Sequence, residues 1–356
     1  MPGLVNAHTH LDLTGFGGLV DDDEFPVWIR RVRSLKETRS RDEYLRAAGQ
    51  GLQACFAAGV TTVAETGDTG VMAQALAEHG GRGVVYQEVF GPHPDQCSPA
   101  IDSAQRRLSA LRRWTSPAIR LGLSPHSPYT VSGPLYRKVA ELAQAESLPL
   151  AVHIAESVAE QEFLAAGTGP FGDAWDRRGI PLPDPLGDTP LGWLERHGVL
   201  TPGTLCIHAV QCDAADIDRL VRHQCTVAHC PRSNRRHGHG DAPLRALLDA
   251  GVPVGLGTDS EASLFPIDLL AEARLAGELA GLDASGAIEL ATLGSARAIG
   301  WGDAIGALEP GRWGDVVVRQ IGEVAGGDRL PERLLQSSPE RVVLTVIAGV
   351  DRYRRA

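Results

Sequence analysis

Eight short apolar runs, most of them followed by a longer stretch of helical periodicity, constrain this sequence more than any other feature. They lie near residues 3–8, 60–65, 84–90, 119–124, 148–153, 204–208, 226–229 and 252–257. Helical patterns occupy the intervals. Residues 42–58 put Leu45, Ala48, Leu52, Cys55 and Phe56 on one stripe, and residues 134–145 and 243–250 behave alike, the last ending at Gly251. Strand alternating with helix predicts βαβ units and a parallel sheet. Eight such units favour an α/β fold of the closed (β/α)8 type over an open sheet. One barrel of about 250 residues plus extras fits the 356 residues available. Residues 1–305 are therefore assigned to a barrel. Residues 306–356, with strands expected at 315–319 and 342–347, are assigned to the remnant of a small β domain.

Two connections are long. Residues 12–28 carry Gly15, Gly17, Gly18, Asp21, Asp22, Asp23 and Pro26, and residues 167–190 are dense in Gly and Pro. Loops of this length in compact domains form lids or cavity walls. A net charge of −10 excludes a broad nucleic-acid-binding surface. No apolar run approaches membrane-spanning length, and the N-terminus lacks the basic start and apolar core of a secretory leader. The expectation is a cytoplasmic protein acting on a small molecule, without nucleic-acid or membrane partners; a homodimer stays open. The six cysteines form no Cys-x-x-Cys pair and read as inert reduced thiols.

Polar residues gather at the C-terminal ends of the predicted strands, the face where barrel enzymes carry their chemistry. His8 and His10 end the first, His153 the fifth and Asp259 the eighth. Alternate residues of an extended segment point to one side, so both imidazoles of His8-x-His10 reach one ion. Three imidazoles and a carboxylate suit a divalent ion such as zinc, with iron(II) as a substitute. Glu156, three residues after His153, is placed to move a proton of a metal-activated water. His208 ends strand six and is assigned to orienting the water or polarising the substrate. His126 ends strand four and is assigned to substrate contact. His229 reads as structural, His93 is equally open to a cavity or a structural part, and His79, His197 and His223 read as solvent-facing. The pair Gly255-x-Gly257 is a poor nucleotide signal, because no third glycine follows. The zinc deaminases built on His-x-Glu and Pro-Cys-x-x-Cys are excluded, since neither pattern occurs.

Pro2-Gly3-Leu4-Val5-Asn6-Ala7-His8-Thr9-His10 resembles the opening metal motif of the amidohydrolase superfamily. His153-x-x-Glu156, His208 and Leu256-Gly257-Thr258-Asp259-Ser260 are similar to its metal-dependent deaminase branch, and the likeness runs from residue 2 to about 318. The resemblance implies one zinc on His8, His10, His153 and Asp259, a proton shuttle at Glu156, and an attacking hydroxide oriented by His208 with Asp259. Two-metal relatives use a modified lysine on strand four. None stands near Leu123-Ser124-Pro125-His126, so one ion is expected. Residues 123–132 and His229-Cys230-Pro231-Arg232-Ser233-Asn234 look most like the aminodeoxyfutalosine deaminases of menaquinone biosynthesis, which replace the 6-amino group of an adenine nucleoside with oxygen. Members of the superfamily carry several tens of residues before the first metal motif, so the small β domain is expected to be incomplete at its N-terminal side.

That substrate joins an adenine nucleoside to a benzoate and calls for aromatic walls and a cation. Phe16, Phe25, Trp28, Phe171 and Trp175 are candidates for the walls, Arg232 or Arg177 and Arg178 for the cation. His126 and Ser260 complete the expected substrate contacts. The alternatives are a guanine, adenosine or S-adenosylhomocysteine deaminase, a triazine-type chlorohydrolase, and, more remotely, a metal-binding scaffold without activity.

Overall fold

A computed structural model describes residues 1–21, 24–322 and 330–355. All eight apolar runs are strands: β1 (Leu4–Thr9), β2 (Val60–Gly67), β3 (Gly83–Val89), β4 (Ile119–Pro125), β5 (Ala151–Ile154), β6 (Leu205–His208), β7 (Thr226–His229) and β8 (Val254–Leu256). They are buried almost throughout, as strands covered on both faces must be. β1 to β4 pair in parallel in chain order, and so do β5 to β8. Two parallel bridges, Leu123 with Leu150 and Thr9 with Asp259, join the halves and close the barrel.

Helices pack around it where the periodicity placed them. The helix Arg41–Ala58 starts with a capping box between Ser40 and Glu43 and stops at Gly59, whose φ of 87° few other residues adopt. The helices Gly133–Glu146 and Leu244–Asp249 match the other two patterns within two residues. Of the long connections, the first buries Phe16 in the core and ends in the helix Phe25–Lys36; Asp22 and Asp23 lie outside the described residues. The second folds into the helix Gly169–Asp176 with Phe171 and Trp175 buried. Both connections bury aromatic side chains in the core.

After the barrel, β9 (Val316–Arg319), β10 (Val342–Ile347) and β11 (Val350–Arg354) form an antiparallel sheet in the order β11-β10-β9. β11 escaped the sequence reading because Val350-Asp351-Arg352-Tyr353-Arg354 contains no apolar run. The usable signal was the two-residue turn Ala348-Gly349, with φ of 50° and 78°. Met1 lies along β9: its carbonyl accepts the Val317 N–H and its amino group donates to the Val317 carbonyl, both at 3.0 Å.

A buried ion pair pins this sheet to the barrel. The Arg82 guanidinium, just before β3, meets the Asp315 carboxylate and lies 4.1 Å from the centre of the Trp313 ring. Asp315 also accepts the Ala348 N–H at 2.9 Å. His197 departs from expectation: it is buried, its ring 4.2 Å from that of Trp193. A half-apolar imidazole at a helix end packs as readily as it hydrates. His79 and His223 are half-buried, His223 bonding Glu195 at 2.8 Å. No helix among the described residues is long and apolar enough to cross a membrane.

Removing one partner of a buried pair strands the other charge. Asp315→Ala is expected to cost about 3–5 kcal/mol in denaturant unfolding. A loss under ~1 kcal/mol would show that the sheet is held by its apolar contacts instead.

Candidate active site

The C-terminal strand ends deliver the expected side chains to one place. Ligand atoms of His8, His10 and His153 lie within 4.8 Å of one another. Asp259 Oδ1 stands 3.6 Å from Nε2 of both His8 and His10, and His153 Nε2 is 3.3 Å from His10 Nε2. Burial lowers the His8 pKa to about 4 and that of His153 well below its ordinary value, so both rings keep their lone pairs at neutral pH. His10 donates from Nδ1 to the Thr66 carbonyl at 2.7 Å, which turns the lone pair of Nε2 inward. Ser233 and Ser263 donate to Asp259 Oδ2 at 2.6 and 2.8 Å, leaving Oδ1 to face the rings. Neither nitrogen of His8 has a hydrogen-bond partner. Electron pairs converging without protons between them fit a cation, and the donor set fits a divalent ion of the zinc or iron(II) type. Glu88 and His126 form a second cluster with His153. It shares that ligand, and His126 Nδ1 is already engaged by Ser127 and Thr130 at 2.9 and 2.8 Å.

Glu156 lies beside this centre. Burial pushes its carboxyl up, but the His208 and His239 imidazoles outweigh burial and bring it down to about 2. It therefore rests as a carboxylate, the form a proton acceptor needs. His208 Nε2 is 3.5 Å from Glu156 Oε1, and His208 Nδ1 meets Asn234 Oδ1 at 2.9 Å. Asn234 in turn faces Nδ1 of the fully buried His229 at 3.3 Å, which is the structural part expected of that residue. Two buried carboxylates hold the turns that carry these groups. Glu65 accepts the Leu11 N–H at 2.8 Å behind His10, and Glu160 accepts the N–H groups of Ala155 and Glu156 at 2.8 and 2.9 Å. Ala155, His208 and Asp259 adopt φ of 52°, 74° and 56°, left-handed conformations that non-glycine residues hold only where surroundings impose them.

A cavity of about 1520 Å³ opens over His10, His153, Glu156, His208 and Asp259. Phe25 and Trp28 form one wall; Tyr129, Phe171 and Trp175 form the other, with Tyr129 and Phe171 stacked at 3.9 Å and Trp175 Nε1 donating to the Tyr129 carbonyl at 2.8 Å. His126 and Ser260 line it too, as do Arg177 and Arg178. Arg232 is engaged elsewhere. Its guanidinium lies 3.6 Å from Glu272 and its N–H donates to the same carboxylate at 2.9 Å, away from the cavity lining. Glu272 is 1% exposed, and a carboxylate that deep needs the arginine more than a solvated ligand would. Phe16 belongs to the core, and His93 Nδ1 accepts the Asp95 N–H at 3.1 Å, outside the cavity lining. The sequence reading passed over Glu65, Glu160, Asn234 and His239. Asn234 stood in the quoted 229–234 motif, and the alternating His237-Gly238-His239-Gly240 was a visible signal for His239.

The family model described as Amidohydrolase family matches residues 1–350. An aminodeoxyfutalosine deaminase of Deinococcus radiodurans is 35% identical over 320 residues, covering 84% of this chain and 73% of that protein. A 5-methylthioadenosine/S-adenosylhomocysteine deaminase of Syntrophobacter fumaroxidans is 32% identical over 331 residues, with 89% and 71% covered. Among solved structures, a zinc-bound adenosine deaminase from Xanthomonas campestris superposes with a TM-score of 0.85 at 29% identity, over 99% of this chain and 79% of that one.

The donor geometry predicts one tightly held ion per chain. His153→Ala should lower the metal content, measured by elemental analysis after dialysis, well below one equivalent. A second stoichiometric ion in the unmutated protein would contradict the single-ion reading.

Proposed function

The chain belongs to the amidohydrolase family, and on that premise we propose that it hydrolytically removes the 6-amino group of an adenine nucleoside, with 6-aminodeoxyfutalosine as substrate and menaquinone formation as the setting. It is a hydrolase acting on carbon–nitrogen bonds. The observation that carries the reading is the Glu156 carboxylate beside the four-donor cluster, on the floor of a cavity with aromatic walls.

His8, His10, His153 and Asp259 would hold the ion, zinc on this reading. When bound, it supplies a Lewis acid that makes water nucleophilic at neutral pH. Glu156 takes a proton from the attacking water as the C6–O bond forms and delivers it to the departing nitrogen as the C6–N bond breaks. Water and the amino nucleoside thus become the oxo nucleoside and ammonia. His208 faces the same carboxylate and orients the water. Phe25 and Trp28 on one side and Tyr129, Phe171 and Trp175 on the other sandwich the flat rings and exclude solvent.

Cavity volume supports a substrate larger than a single ring. Ligand pockets commonly measure ~300–1,000 Å³, so about 1520 Å³ leaves room for a tail beyond a single guanine or triazine ring. Arg177 and Arg178 line the cavity with no carboxylate partner among the described residues, and they take the benzoate-binding part first assigned to Arg232.

Glu156→Gln should lower kcat by ~10²–10⁴-fold with the metal retained; activity within tenfold of wild type would remove Glu156 from the shuttle. A substrate panel tests the finer assignment. Replacing Arg177 and Arg178 together by methionine should weaken kcat/KM for aminodeoxyfutalosine by ~10–100-fold, the worth of a charged hydrogen bond, and leave adenosine unchanged. Guanine or S-adenosylhomocysteine turning over faster than aminodeoxyfutalosine in the unmutated enzyme would overturn the substrate and keep the deaminase.

A further inference from the structure

His239 does not line the cavity, yet it stands against Glu156. Its Nε2 stands 3.4 Å from Glu156 Oε1, the same oxygen that His208 Nε2 faces at 3.5 Å. The two rings are not equivalent. The Asn234 amide nitrogen points at His229, so its oxygen is what His208 Nδ1 meets, and His208 carries a proton there. His239 Nε2 is buried without a hydrogen-bond partner, and the acceptor it faces is Glu156 Oε1 at 3.4 Å.

The loop is built to keep it there. The His239 N–H donates to the Asn234 carbonyl at 2.9 Å, and its carbonyl accepts from the Gln211 side chain at 2.7 Å. Gly238 and Gly240, on either side, adopt φ of 69° and 91°, which a residue with a Cβ would resist. Asn234 therefore serves both rings, His208 through its side chain and His239 through its backbone. On its outer side the His239 ring meets the edge of Phe25 at 4.5 Å. Phe25 lines the cavity and His239 stands behind it.

We infer that His239 is a positioning residue for the proton shuttle: its Nε2–H holds Glu156 Oε1 in place and leaves Oε2 as the oxygen that exchanges protons. The inference rests on the reading of Glu156 as shuttle. Phe25 packs against the His239 ring, so the helix Phe25–Lys36 both walls the cavity and backs this contact.

The test uses the full-length, metal-loaded enzyme. His239→Phe keeps the ring shape and removes the N–H; His239→Gln restores an N–H donor at a similar reach. His239→Phe should lower kcat by ~10–100-fold, the usual effect of removing a partner that orients a catalytic group, with KM, metal content and thermal midpoint unchanged. His239→Gln should recover most of it. Wild-type kcat in His239→Phe, or equal impairment of both variants, would overturn the inference. Ring ¹⁵N spectra of histidine-labelled protein test it without substrate. A proton on His239 Nε2 that shifts in Glu156→Gln is expected, and a proton on Nδ1 would refute it. If no adenine nucleoside is turned over, the proposed function fails by itself and the ¹⁵N result still decides His239. The same holds if His239→Phe does not fold.

Discussion

Ligand atoms of three imidazoles lie within 4.8 Å of one another inside this barrel, with an Asp259 carboxylate oxygen 3.6 Å from two of them, and much else in the molecule serves to keep them there. Such an arrangement is unfavourable without a cation, because each donor has left water and gained no proton in exchange. It is built on the seam of the fold. The barrel closes where Thr9 bridges Asp259, and the His8 carbonyl accepts the Thr258 N–H at 3.0 Å. A Cβ at Gly257 would sit 2.7 Å from His8 Cβ, so only glycine lets β8 come this close to β1. Closing the barrel there brings His8 and His10 against Asp259.

Buried carboxylates do the same work for the turns. Glu65 behind His10, Glu160 behind Glu156 and Glu272 behind the turn after β7 each accept backbone N–H groups. Burial raises the pKa of all three, to about 8 for Glu160 and Glu272, while those same N–H bonds favour the charged form. Glu160 in this way holds the turn in which Ala155 keeps a left-handed backbone, a conformation that free peptides avoid.

Much of this was legible in the linear chain. The eight strands could be counted because barrel strands are buried on both faces and read as apolar runs. His8, His10, His153, Glu156, His208 and Asp259 stood out because each ends such a run or follows it within three residues. The failures share a cause. β11 is a polar edge strand whose partner lies across a turn. Arg232 follows a strand end as the site residues do, and only the packed structure shows Glu272 waiting beside it. His197 looked like a surface helix end until Trp193 covered it.

Periodicity and position along the chain determined the barrel and the residues that ring its mouth, because both are local properties: a strand's burial is written in its own side chains, and its end marks where they emerge. The choice of partner was decided by tertiary structure alone. Which carboxylate neutralises Arg232, which amides Glu65 and Glu160 hold, and which imidazole turns an N–H toward Glu156 all depend on groups 4 to 83 positions away brought within hydrogen-bonding or ion-pair reach. Hydrogen bonds and ion pairs act over a few ångströms and depend on direction, and no pattern of residue types along a chain encodes either.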